Sequence, residues 1–238
     1  KYLILLILNL FDFFYQRKLI KFLKKNNFNN FPVFFDVGAH KGESIKLFLN
    51  NFTIKKIYSF EASPVNFMEL DHIKKKYEKC FKKSDIIIEN AALGSENKNI
   101  LFKQFDESSS STFNDINYDS RYFKRKHQLL KTKNKFFTEI YVKMITLNDY
   151  IIKKEIIKID FIKIDTEGYE YEVLLGMKNE IKKVQLIMFE HHYDDMIKKN
   201  YTFHNINKLL VENDFIQIHK SKMPFRKTFE YMYLNQGI

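Results

Sequence analysis

The sequence predicts an α/β fold: a mostly parallel central sheet with helices on both faces and a C-terminal antiparallel strand. Two observations predict it. Short apolar runs of strand length alternate with helical stretches along the chain, the pattern of strands joined by helical crossovers. Four of those runs end in an acid, Asp36, Glu61, Asp165 and Glu190, and the carboxyl ends of such strands form the ligand-binding face of the sheet. With 238 residues, the chain is long enough for one such domain with a sizeable core and too short for two comfortable ones.

Residues 1–30 are expected to form an N-terminal amphipathic helix and a linker, with the α/β domain over 31–238. Residues 2–14 are strongly apolar but broken by Asn9 and Asp12, and they fall short of the roughly 20 needed to span a bilayer. Leu3, Leu6, Ile7, Leu10, Phe11 and Phe14 lie at helical spacing, and lysines follow. Packing on the domain is the expectation; a helix lying on a membrane surface is the alternative. Pro32 stiffens the entry to a buried strand over 33–37, and Gly38 and Gly42 then permit a strained turn into a helix that stops at Asn50-Asn51.

The spacing Asp36-x-Gly38-x-x-x-Gly42 differs from the three-glycine loop that brings a pyrophosphate onto a helix N-terminus. An acid in place of the first glycine suits a ligand bearing an amine or sulfonium cation, and S-adenosylmethionine fits that description. A second strand over 56–61 ends in Glu61; Ser63 as N-cap and Pro64 as first helical residue fix that acid at the strand tip. A carboxylate about 20 residues past the glycine turn is placed to grip ribose hydroxyls.

A third strand is expected over 85–93, followed by a hairpin using the alternating residues 100–105 and a hydroxyl-rich loop at 108–112. Residues 113–136 carry seven Lys or Arg against two Asp, with Tyr118, Tyr122 and Phe123 interleaved, and read as a basic helical insertion over the ligand-binding face. A strand over 139–145 and a short helix from Thr146 to Tyr150 lead to the strand 161–164, which carries Lys163 between two isoleucines. A buried ammonium is costly unless a carboxylate pairs with it, and Asp165 lies at the tip of the same strand. Glu167, Glu170 and Glu172 suit the first turns of a helix. A further apolar strand over 184–190 ends in Glu190-His191-His192, and strand alternation points one of the two histidines into the cleft. A helix around 205–213 and strands at 215–219 and 229–235 complete the chain.

The formal net charge is +11, from 36 Lys and four Arg against 29 acids. Beside abundant Asn, Ile and Phe this reads as a solvated lysine surface, and no dedicated nucleic-acid groove is expected. The single cysteine, Cys80, excludes an internal disulfide and a multi-cysteine metal cage.

The blocks Phe35-Asp36-Val37-Gly38-Ala39-His40-Lys41-Gly42-Glu43, Phe60-Glu61-Ala62-Ser63-Pro64, Asn90-Ala91-Ala92-Leu93-Gly94, Thr146-Leu147-Asn148-Asp149-Tyr150 and Lys163-Ile164-Asp165-Thr166-Glu167-Gly168-Tyr169-Glu170 resemble, in the same order, those of the FkbM-type S-adenosylmethionine-dependent methyltransferases. The resemblance spans residues 31–236 and implies a Rossmann-like class I methyltransferase fold with O-methylation of a sugar, glycan or related small molecule. His40-Lys41 departs from the family's usual residues at that turn. On this resemblance Asp36, Gly38, Ala39, Gly42 and Glu43 would hold the methionine end of the cofactor, Glu61 and Ala62 the ribose, and Asn90 and Ala91 the adenine rim. Asp165 would either neutralise the cofactor's amine or act near the methyl group. Asp165, Glu190 and His192 are the candidates for catalysis; the spacing demands no metal site.

Two readings compete with this one. An RNA-directed methyltransferase would suit the charge, but the chain lacks an Asn/Asp-Pro-Pro-aromatic run for an exocyclic amine. A non-catalytic S-adenosylmethionine-binding module would keep the same four acids. A nicotinamide-dependent oxidoreductase fails on the missing third glycine. A cytoplasmic location is expected because the cofactor is made there, with peripheral contact at the inner membrane left open.

Overall fold

The structure is a computed structural model that describes residues 2–105, 111–130 and 137–238, and the side chains of all of these except 2–10 and 126–130. In chain order the first elements are α1 (Tyr2–Lys25), β1 (Val33–Val37), α2 (Glu43–Asn51), β2 (Lys56–Phe60), α3 (Pro64–Cys80) and β3 (Asp85–Glu89). The middle of the chain supplies β4 (Ala92–Leu93), β5 (Lys98–Phe105), β6 (Asp115–Ile116), α4 (Arg121–Leu130), β7 (Phe137–Ile145) and α5 (Leu147–Lys153). The last third supplies β8 (Ile159–Ile164), α6 (Glu170–Leu175), a short 3-10 helix (Lys178–Lys183), β9 (Val184–His192), β10 (Ile197–Lys198), α7 (Phe203–Val211), β11 (Phe215–Lys222) and β12 (Thr228–Asn235).

Seven strands form the central sheet in the order β11-β12-β9-β8-β1-β2-β3. Neighbours are parallel from β3 to β9, and the C-terminal β12 runs antiparallel between β9 and β11, as the sequence predicts. The chain leaves β1 for β2 on one side and returns to β8 on the other, so the order reverses between β1 and β8. That switch point opens a crevice at the carboxyl ends of the two strands.

Strand alternation divides the core into two layers. Phe35, Val37, Ile162, Ile164, Phe189 and Tyr231 face one side, with α6 and α7. Phe34, Phe161, Leu186, Met188 and Met232 face the other, where they meet Phe48 of α2 and Leu19, Ile20 and Leu23 of α1. Helix α1 therefore runs on through the lysines and packs on the sheet by its C-terminal half, along the stripe Tyr15-Leu19-Leu23. Phe11 and Phe14, assigned to the apolar face in the sequence pattern, are about half exposed. No helix among the described residues is long and apolar enough to cross a membrane.

Two expectations are corrected. The third strand divides: β3 stays in the central sheet, while β4 pairs with β7 in a second, three-stranded sheet of order β4-β7-β5. The partner of β5 is β7, antiparallel from Lys98↔Met144 to Phe105↔Phe137, so β5 forms no hairpin with the strand before it. The physical reason is that Ala92 buries with Phe102, Val142 and Met144 in the core of the smaller sheet, a choice that a continuous apolar run does not reveal. The insertion thus spans the connection from β5 to β7, and β6 within it is anchored antiparallel to β10.

Replacing Leu23, wholly buried between α1 and the sheet, tests whether α1 belongs to the folding unit. Leu23→Ala is expected to cost about 2–5 kcal/mol in urea-induced unfolding. A change within 0.5 kcal/mol, the range of ~surface substitutions, would mean α1 is peripheral to the domain.

Candidate active site

The tips of β1 and β8 approach so closely that only glycine fits between them. Gly38 has φ +79°, and a Cβ there would lie 1.9 Å from the Asp165 carbonyl oxygen. Gly42 is also left-handed, at φ +84°, and opens α2 with no side-chain cap. The Gly38 and Ala39 amides both donate to the Phe60 carbonyl at 3.0 Å, locking this turn to the end of β2. One residue further on, Glu61 accepts the His40 amide at 2.8 Å and the Ser63 amide at 2.9 Å. Ser63 in turn caps α3 through the Asn66 amide, 3.2 Å away, as the Ser-Pro pair predicts.

Beneath this turn lies a row of polar groups on one face of the sheet. Ser59, Asp36 and Lys163 are in register on β2, β1 and β8. Lys163 Nζ donates to Asp165 Oδ2 at 2.9 Å, which answers the question the buried lysine poses. Burial works against its charge, but Asp165, Asp36 and Glu190 outweigh it and raise its pKa. The same ammonium overcomes the burial of Asp165 and holds that carboxyl below its usual range. Asp36 is fully buried, and neither of its carboxylate oxygens has a hydrogen-bond partner among the described residues. Burial pushes its pKa up to about 6 despite the pull of Lys163.

Two more carboxylates share this face. Glu190 on β9 and Glu230 on β12 stand directly opposite one another across the antiparallel pair. The Glu190 side chain makes no hydrogen bond among the described residues, and burial, then Asp165 and Glu230, raise its pKa well above the carboxylate range. Glu230 Oε2 accepts the Tyr15 hydroxyl of α1 at 2.9 Å, and burial lifts its pKa to about 7. A cavity of about 820 Å³ opens over these groups. Its floor includes Gly38, Ala39, Lys163, Asp165, Glu190 and Glu230; Glu43, Glu61, Ala62 and Ala91 line the side toward β2.

The two histidines separate as alternation requires. His191 is buried among Tyr193, Tyr201 and Phe203 on the far face, where burial drops its pKa to about 3. His192 lines the cavity. Its Nε2 lies 3.5 Å from Glu167 Oε2, and its Nδ1 lies 3.1 Å from the Thr228 hydroxyl and 3.7 Å from Asp194 Oδ2. Burial opposes its charge, yet Glu167, Asp194, Glu170 and Glu190 together raise its pKa to about 10. It is therefore an imidazolium at neutral pH, a donor with no lone pair for a proton.

Other residues singled out in the sequence hold the site from outside. Asp36 and Gly42 lie behind the cavity wall. Asn90 turns its amide to the Glu61 and Ala62 carbonyls at 2.8 and 3.3 Å and supports the β2 tip instead of lining the cavity. Glu170, fully buried, accepts the Thr166 and Gly168 amides at 3.2 and 2.9 Å and the Tyr201 hydroxyl at 2.5 Å, fixing the loop after β8. Glu167, at φ +49°, faces His192. Of the serine-rich loop, 108–110 fall outside the described residues, and Ser111 lines the cavity.

Tyr122 and Arg125 of α4 line the outer wall from within the insertion expected over this face. The rest of that wall was not legible in the sequence: Tyr15 and Gln16 of α1 and Met223, Phe225 and Arg226 of the β11–β12 turn. Glu230 left one signal: like Lys163, it is a lone charge inside an apolar strand. Among the described residues no three His, Cys, Asp or Glu side chains are grouped to hold a metal ion.

The family profile described as the methyltransferase FkbM domain matches residues 36–216. Among solved structures, an FkbM methyltransferase from Methylobacillus flagellatus KT superposes with a TM-score of 0.57 at 15% identity, over 85% of this chain and 43% of that one. The chain thus spans less than half the length of that protein. Magnesium protoporphyrin IX methyltransferase from Synechocystis PCC 6803 with bound S-adenosylmethionine superposes at 0.50 and 10% identity, over 93% of this chain and 78% of that one. The same enzyme with the demethylated cofactor superposes at 0.51 and 10%, over 96% and 85%. At these identities the likeness is one of fold, and it is the Rossmann-like methyltransferase fold. No curated protein is significantly similar in sequence.

Asp36 supplies a test of the site's electrostatics that needs no ligand. In the folded chain its carboxyl keeps its proton up to about pH 6, whereas the unfolded chain loses it near pH ~4. Folded stability is therefore lost as pH rises through that window, by about 3 kcal/mol once both states are ionised. Asp36→Asn is expected to be more stable than the wild type at pH 8 by about that amount, the gap closing toward pH ~4 in urea unfolding. A gap that does not change with pH would contradict the assignment.

Proposed function

Because the chain belongs to the FkbM methyltransferase family, we propose that it transfers a methyl group from S-adenosylmethionine to a hydroxyl of a sugar, glycan or related small molecule. The observation that carries this reading is the imbalance of charge at the strand tips: Asp36, Asp165, Glu190 and Glu230 surround a single ammonium, Lys163. Such a site suits a cationic ligand. The glycine turn at Gly38, where any side chain would collide with Asp165, fits a methionine moiety bearing an ammonium and a sulfonium, and the buried Asp36 carboxyl behind the cavity wall acts on that charge from a distance. Glu61, already oriented by the His40 and Ser63 amides and the Asn66 side chain, keeps a lone pair on Oε2 for a ribose hydroxyl. Ala62 and Ala91 offer an apolar rim for the adenine. The cofactor supplies an electrophilic methyl group; everything else is supplied by the chain.

Methyl transfer is an in-line displacement, so the site must hold the acceptor oxygen collinear with the methyl carbon and the sulfur. A hydroxyl gives up its proton as it attacks, and a base within hydrogen-bond reach assists. Three candidates divide by their surroundings. Asp165 is engaged by Lys163, and His192 already carries its proton. Glu190 faces the cavity without a partner and takes the role of base. His192 donates a hydrogen bond to orient the acceptor. The outer wall carries Arg226, 3.4 Å from Asp12, and Arg125, and Tyr122 and Phe225 line the same cavity. Guanidinium groups on a cavity wall favour an acidic or phosphorylated sugar.

Calorimetric titration with S-adenosylmethionine tests the cofactor assignment. Glu61→Ala is expected to weaken binding by roughly 1.5–3 kcal/mol, about tenfold or more. Absence of binding by a folded wild type would sink the reading. Once an acceptor is found by methyl transfer to a panel of neutral and phosphorylated sugars, Glu190→Gln is expected to lower kcat by about 10²–10⁴-fold. It should also abolish the rise of rate with pH that a raised Glu190 pKa imposes on the wild type. A Gln variant retaining that pH limb would assign the base elsewhere.

A further inference from the structure

Glu190 and Glu230 occupy directly opposed positions on β9 and β12, and both side chains line the cavity. Opposed residues of an antiparallel pair have Cβ atoms about 5 Å apart, so two ionised carboxylates there repel strongly. Among the described residues neither carboxylate forms an ion pair. Lys163 of β8 gives its hydrogen bond to Asp165, and Tyr15 of α1 donates a neutral hydroxyl to Glu230. Asp165 of β8 and Asp12 of α1 add to the repulsion, while Lys163, His192 of β9 and Arg226 of the β11–β12 turn oppose it.

We propose that Glu190 and Glu230 act as one carboxyl pair that holds a shared proton in the empty site, expels it when a sulfonium binds and then takes the acceptor's proton in its place. This rests on the methyltransferase reading and adds to it a proton cycle and a second residue, Glu230, that positions the charge of the base. The balance closes. Binding of the sulfonium drives one proton from the pair into solvent, leaving the pair with one more negative charge. In the transfer step the acceptor oxygen forms its bond to the methyl carbon as the carbon–sulfur bond breaks, the electron pair going to sulfur. The hydroxyl proton passes to Glu190 and is again shared with Glu230. The thioether product is neutral at sulfur, the pair is reprotonated, and the starting state is restored when the product leaves. The overall proton of the reaction thus appears at cofactor binding and not at product release. Tyr15 makes α1 a party to this cycle, because its hydroxyl fixes the Glu230 carboxylate toward the cavity side of the sheet.

The same raised pKa values support the pair: burial lifts both, Glu230 to about 7 and Glu190 well above its usual range. The test requires no acceptor. The full chain is titrated calorimetrically at pH 7 with S-adenosylmethionine and, separately, with S-adenosylhomocysteine, each in buffers of different ionisation enthalpy; the slope of heat against that enthalpy counts protons released. The expected result is about one proton more released by the sulfonium than by the thioether. The excess should collapse in Glu190→Gln and in Glu230→Gln, each still binding the thioether, and persist in Asp36→Asn and His192→Gln. Equal proton counts for the two ligands in the wild type would overturn the proposal, whatever the variants do. So would an excess that survives in both glutamine variants or disappears with Asp36→Asn or His192→Gln, because the proton would then come from another group. Tight binding with no excess proton sinks the pair alone; no binding by the folded chain sinks the methyltransferase reading with it.

Discussion

A parallel sheet gathers the ends of its strands on one side, and here that geometry forces like charges together. Asp36, Asp165, Glu190 and Glu230 come from β1, β8, β9 and β12, and one ammonium, Lys163, stands among them. The Lys163–Asp165 pair is the interaction on which the rest depends. Without Asp165 the lysine would be a buried charge without its hydrogen-bond partner, and without Lys163 the compensation of the acids would be left to His192 and Arg226. With one pair made, the remaining carboxylates are left protonated or starved of partners, which costs stability and leaves a site poised for a cation. Asp36 shows the cost most plainly, since both its oxygens are buried and unbonded.

The backbone around this pair is shaped by the same crowding. Gly38 stands where the tips of β1 and β8 crowd together, because the Asp165 carbonyl occupies the space of a side chain. Glu170, buried behind the loop, accepts two of its amides and so holds Glu167 toward His192. On the opposite wall the first helix meets the last strand. Tyr15 reaches Glu230 across 215 positions of sequence, and Asp12 reaches Arg226 across 214. The cavity is therefore closed by segments from both ends of the chain, and its chemistry depends on helix packing as much as on the strand tips. The insertion between β5 and β7 contributes a third piece of wall through Tyr122 and Arg125.

Much of this was legible from local pattern. Buried parallel strands write themselves as short apolar runs, glycines mark the turn where the backbone must be left-handed, and the Ser63-Pro64 pair announces a capped helix. Each of these signals arises from interactions among residues a few positions apart. The acids at 36, 61, 165 and 190 stood out for the same reason, as charges in or beside apolar runs. The division of the third strand did not, because β4 leaves the sheet to pair with residues 52 positions later.

The sequence by itself determined the fold class, the strands whose carboxyl ends carry the site and the acids that mark those ends, because alternation, glycine and capping act over one or two turns of chain. Tertiary structure alone decided which face each charge occupies and what it meets there. It set Glu230 opposite Glu190, turned His192 inward and His191 outward, gave Asn90 to the backbone of β2, and brought Tyr15 to the far end of the chain. Those outcomes depend on register between strands and on the burial of charge in a shared cavity, and neither register nor burial is a property of any one segment.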